Sequence, residues 1–325
     1  MHSRKLDDKT MAFQDDGTHL ACAERPTSTL GNLLQPEVLG EEAISKAVAC
    51  QQTVLNLSNR SLSYLPASIQ KLKNIKRLLL NNNKIIMPPV ELLALENLEE
   101  LTLDHNQLTL LPYGLGSLAK LRYLNLSHNH LGNLPNDIGD LKNLTELWIV
   151  HIEIVNLPSE IGLLRCLKKL SVRNNMLSVL PNEFCQLTKL QWLCIAENQL
   201  VELPQHFARL SELSYLDLSD NQFDDVPRCA TDLLKLMTLL LKRNHITCLS
   251  DDTLLGLSNL VKLDLRENPF TERPAHWKGL DYILLGDTAT PLDSADQTST
   301  SNDEDECSSS NEEGEEDDDD DEQDD

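Results

Sequence analysis

The sequence predicts an α/β solenoid: about ten short strands stacked in one parallel sheet, each returning through a tight 3-10 or single helical turn. Three observations predict it. The pattern LxxLxLxxNxL starts at Ile75, Leu98, Leu121, Leu144, Leu167, Leu190, Leu213 and Leu236, 23 residues apart each time. The second half of each unit reads LPxxIxxL, as at Leu134-Pro135, Ile138 and Leu141. Hydrophobic residues make up 40% of the chain and aromatics only 4%, so leucine supplies the apolar surface, as stacked repeats require.

Each element follows from its residues. In LxL the side chains alternate, which gives a short strand with its leucines on one face. Successive strands share one return path and stack in parallel. Leucines at positions 1, 4 and 6 point inward. The Asn at position 9 ends the strand, and its amide can bond the turn backbone and form a ladder with its neighbours. That slot holds Asn83, Asn106, Asn129, Asn175, Asn198, Asn221, Asn244 and Asn268, but Ile152 in the fifth repeat. Two readings of Ile152 stay open: a worn repeat, or a local distortion at a working surface. In LPxxIxxL, proline fixes φ and opens a turn, and the i, i+3 apolar spacing suits a 3-10 turn on the outer side. A degenerate copy starts at Gln52 and a tenth at Leu260, one residue late, so the array covers 52–271.

The ends of an open sheet need covers. Residues 36–51 read as a short cap helix with apolar Val38, Leu39, Ile44, Ala47 and Val48. Residues 272–287 place Trp277, Leu280, Ile283 and Leu284 at helical spacing after Pro274, and read as a second helical cap. Residues 1–35 and 288–325 have the composition of disordered arms. From Asp287 onward there are 19 acidic residues and no Lys or Arg, which leaves only −5 of the net −24 on the rest of the chain. Ser301 and Ser310 each have an acid three positions on and are candidate phosphorylation sites.

LxxLxLxxNxL followed by LPxxIxxL resembles the intracellular leucine-rich repeat proteins of the Ras-suppressor and scribble type. The resemblance covers 52–271. It implies a right-handed curved solenoid that binds other proteins on a concave sheet.

Side chains at positions 3, 5, 7 and 8 point out of that face. The middle repeats gather Tyr123, Trp148, Trp192 and Tyr215 there with Lys169 and Arg173, across roughly 20 Å of sheet. Grouped Trp, Tyr and Arg residues are what interface hot spots are made of. Arg77, His128, Val150 and His151 complete the expected partner-binding set; the competing reading is that the aromatics only pack along the sheet.

No catalytic motif, phosphate loop or cofactor fingerprint occurs, so neither enzyme activity nor a cofactor is expected. His105, His128 and His151 fall in one column, but position 8 lies at a strand exit where polar residues are usual, so no metal is expected. Cys194 lacks an obvious base. The net charge argues against nucleic acid, and no stretch approaches the length of a membrane helix. Eight scattered cysteines without CxxC and a polar start point to a reducing interior, the cytoplasm with the nucleus as alternative. The expected function is a monomeric, non-enzymatic interaction scaffold in intracellular signalling. The alternatives are an acidic-tail factor that binds histones or other basic proteins, and a substrate receptor or regulatory subunit of a ubiquitin ligase or phosphatase.

Overall fold

In the structure, a computed structural model, residues 36–270, 277 and 280–285 are described. The N-terminal arm, the acidic tail with Ser301 and Ser310, and most of the C-terminal cap lie outside them. A helix, α1 (Pro36–Ala49), leads into β1 (Val54–Asn56), β2 (Arg77–Leu79), β3 (Glu100–Thr102), β4 (Tyr123–Asn125), β5 (Glu146–Trp148), β6 (Lys169–Ser171), β7 (Trp192–Cys194), β8 (Tyr215–Asp217), β9 (Thr238–Leu240), β10 (Lys262–Asp264) and β11 (Ile283–Leu284). All the strands lie in one sheet in chain order. The pairing is parallel and in repeat register, as in Leu147↔Leu170 and Trp148↔Ser171.

The leucine pattern sets the core. Leu147, Leu170 and Leu193 at position 4 and Ile149, Val172 and Ile195 at position 6 are fully buried. Each such side chain contributes roughly 1.5–3 kcal/mol of burial. On the opposite wall proline opens six of the eight described 3-10 turns, the exceptions being those after Gly114 and His206: Pro135 has φ −71°, and its carbonyl accepts from Ile138 N–H at 3.1 Å. Ile138 is buried, and the next position is small because the turns pack closely. A Cβ on Gly139 would lie 2.5 Å from the Glu160 carbonyl oxygen.

The asparagine ladder forms. Asn129, 1% exposed, donates through Nδ2 to the carbonyls of Leu103 at 3.0 Å, Leu126 at 2.8 Å and Ser127 at 3.1 Å. Its Oδ1 accepts from Leu108 N–H at 2.9 Å. The late start of the tenth repeat also has a cause. The ninth repeat returns through a true helix, α2 (Asp251–Gly256), capped by Ser250 Oγ, which accepts from Thr253 N–H at 3.2 Å.

At the first edge α1 buries Ile44 and Ala47, while Val38 and Val48 face outward. Ser63 and Ser68 hydroxyls fix it by donating to Glu37 and Glu41, each at 2.6 Å. At the far edge the expected helix is overturned at Ile283 and Leu284, which are β11 instead. β10 presents unpaired N–H groups, and Leu263 and Leu265 donate to the carbonyls of Tyr282 at 2.7 Å and Leu284 at 2.8 Å. A helix there would leave those donors without acceptors. Trp277 does cover the end, 4% exposed and edge-on to Phe270. No described helix is long and apolar enough to cross a membrane.

Candidate functional site

Positions 3, 5 and 7 face away from the core, so each strand presents its first and last residues on that face of the sheet. Trp148 ends β5 and Trp192 begins β7, with β6 between them. The two indoles still meet, with ring centroids 5.4 Å apart. They meet because β6 places Ser171 opposite Trp148, and the small side chain lets the indole lean across it. Ser171 is fully buried. Trp192 stacks on Tyr215 at 5.3 Å with 12° between the planes. Three of the four expected aromatics therefore form one continuous bridge over four strands. Tyr123 lies two strands from β6, beside Glu146 in register. Trp148, Trp192, Tyr215 and Tyr123 are all half-buried, so part of their apolar surface is spent on the sheet itself.

The expected cations are neutralised in pairs. Lys169 bonds Glu146 at 3.3 Å. Arg173 donates to Glu197 Oε1 at 2.8 and 2.6 Å, Asn174 donates to Glu197 Oε2 at 2.7 Å, and His151 meets Asn174 at 3.0 Å. Arg77 is held by Glu100 on β3 and stands apart from the aromatics. Val150, half-buried, takes its place through an N–H bond to Ser127 Oγ at 3.2 Å. Beneath the bridge, Cys194 Sγ donates to Asp217 Oδ2 at 3.6 Å, and Asp217 Oδ1 accepts from Ser219 N–H at 2.9 Å. Burial pushes the Asp217 carboxyl above its ordinary value.

The histidine column has a backbone cause. Position 8 has positive φ in all ten repeats, including His105 at 52°, His128 at 55° and His151 at 52°. Asn, Asp and His tolerate this left-handed conformation best among residues with a side chain. His105 and His128 stack at 4.2 Å, and His128 and His151 are 5.6 Å apart. Burial, then the charges of His105 and His151, hold His128 below its ordinary value. Among the described residues no three metal-ligating side chains converge.

At Ile152 the backbone departs from that of the asparagine-bearing repeats. The Ile152 side chain is fully buried, and Glu153 after it turns left-handed at φ 65°. The first repeat, which has Arg60 in the asparagine slot, does the same at Ser61 with φ 54°. Leu131, the equivalent of Leu108, has no asparagine oxygen opposite it. Instead Gly132, at φ 64°, donates to the Ile152 carbonyl at 3.0 Å. Sequence reading missed Gly132, Ser171 and Asp217; the signal for Ser171 was a small residue between two tryptophans.

Comparison with known proteins fits this geometry. Family models described as leucine-rich repeat region and leucine rich repeat match residues 112–196, 224–270 and 97–118. Comparison with curated proteins finds no significant match. A solved leucine-rich repeat protein of Leptospira interrogans is 32% identical, with 74% of this chain and 68% of that one covered, at a TM-score of 0.67. The chain is a leucine-rich repeat protein. The functional domain of InlJ from Listeria monocytogenes, which includes a cysteine ladder, shares the fold at 22% identity, TM-score 0.58, over 75% of this chain and 56% of that one. TLR13 in its complex with ssRNA13 matches at 26% identity and TM-score 0.62, over 75% of this chain and 37% of that one. This leucine-rich repeat protein thus spans just over half of the first of those two and about a third of the second.

Proposed function

We propose that this leucine-rich repeat protein is a non-enzymatic scaffold of the Ras-suppressor and scribble type, which grips a protein partner on its concave sheet. Leucine-rich repeat domains generally mediate protein–protein interaction. The observation that carries the reading is the bridge Trp148–Trp192–Tyr215, aromatic surface held rigid by stacking and flanked by neutralised ion pairs. Rigid aromatics lose little entropy on binding, and grouped on an exposed face they mark an interface. Arg173, Lys169, His151 and His128 border it as the polar rim, and Val150 adds apolar surface beside it.

The thiols support the non-enzymatic reading. Cys194 is fully buried, and burial pushes Cys229 up to about 11, so neither is a ready nucleophile. Cys185 and Cys194 pack as small apolar residues, which suits a reducing cytoplasm. The test is quantitative affinity purification with the parent chain, a Trp148→Ala/Trp192→Ala variant and a chain truncated after Leu285. Partners lost with the tryptophans and kept on truncation support the scaffold. Basic proteins lost on truncation and kept with the alanines would instead make the protein an acidic-tail binder.

A further inference from the structure

The two long edges of the repeat array differ in charge. Where the chain enters each strand, repeat positions 22 to 3, residues 73–262 carry twelve Lys or Arg and five Asp or Glu, a net of +7. Where it leaves each strand, positions 7 to 13, the same stretch carries four Lys or Arg and seven Asp or Glu, a net of −3. The entry edge is one continuous strip. Lys168 N–H donates to Thr145 O at 2.8 Å and Gln191 N–H to Lys168 O at 2.8 Å, and such links run from Thr53 to Val261. Along it Lys76, Arg77, Lys142, Lys169 and Lys235 have carboxylate partners. Among the described residues the other seven cations form no ion pair with a carboxylate, and Lys120, Arg122, Arg165, Lys168 and Lys189 of these are exposed.

A strip of net positive charge, with seven cations that have no carboxylate partner among the described residues, fits an extended polyanion. We infer that the entry edge docks an acidic polypeptide, and that its occupant is the chain's own segment 303–325. That segment holds 16 acidic residues and no basic one. A free polyanion of this density repels itself, and docking on the strip relieves that repulsion. Reach is sufficient. The acids begin 18 residues after Leu285, and 18 residues can span at most about 60 Å. From β11 back to β6 is about 24 Å at ~4.8 Å per strand. Tethering also gives the segment an effective concentration near the millimolar range. The strip adjoins position 3, which carries Trp192 and Tyr215, so a docked segment lines one rim of the aromatic bridge. The inference stands independently of any partner on that bridge.

The test is zero-length carbodiimide cross-linking of the unmodified full chain, which joins carboxylates to lysines in direct contact, mapped by mass spectrometry. An equimolar mixture of isotope-labelled and unlabelled chain separates links within one molecule from links between two. The expected result is links from 303–325 to Lys120, Lys168 and Lys189, within one molecule, falling at least fivefold in 0.5 M salt as the ~10 Å screening length at 0.1 M shrinks. Lys84, on the exit edge, serves as the control. Equal yields at Lys84 and the strip, or links only between molecules, would overturn the inference. So would a single-stranded RNA probe that binds the full chain and protects the same lysines, since the strip would then be a nucleic-acid surface.

Discussion

At Ile152 the asparagine ladder is interrupted, and the backbone on both sides takes up the loss through Gly132 and Glu153, each left-handed. A Cβ at Gly132 meets nothing within 4 Å, so any penalty there is conformational. Gly132→Ala should therefore cost about 1 kcal/mol in denaturant unfolding; an unchanged midpoint would show that the turn adapts. Asn129 is the intact counterpart. Asn129→Leu leaves three carbonyls and the Leu108 N–H without this partner, and should cost about 3 kcal/mol or more in the same assay. His128 adds a pH term. Its folded value lies below the ordinary 6.5, so the unfolded chain takes up the proton first and stability falls as pH drops through that value. In His128→Asn, whose side chain also suits positive φ, the melting temperature should depend less on pH between about 7 and 5. An unchanged slope would place the sensitivity elsewhere.

At the scale of the element, the return turns and the edges decide. Gly139 sits where the Glu160 carbonyl leaves no room for a methyl group. Gly139→Ala should destabilise by about 2 kcal/mol, read as a lower unfolding midpoint. The strands and turns were legible in the sequence because 23-residue spacing repeats the same leucines, prolines and asparagines, whose burial and φ values leave one arrangement. Ile283 and Leu284 were not. Their spacing suits a helix, and only the open N–H groups of β10, formed by distant residues, select a strand. The site was legible by column and not by diagonal. Register alone puts Trp148 beside Ser171; that the indole crosses to Trp192 depends on the void a serine leaves. The histidines looked like a ligand column, yet the positive φ at position 8 accounts for them in residue types as different as Asn82, Asp220 and Glu267.

For the whole molecule the covers and the concave face carry the account. Removing everything after Phe270 strips β11 and Trp277, exposes the β10 edge, and should produce association visible by light scattering. Ending the chain after Leu285 should leave the oligomeric state of the full protein unchanged in the same measurement. The central claim is that a partner lies on the aromatic bridge. The most direct measurement places a photo-cross-linking amino acid in turn at Val150, beside the bridge, and at Tyr113, which is 91% exposed away from the sheet. The account predicts partner adducts from position 150 and none from 113. Equal adducts at both, or adducts from 113 alone, would contradict it.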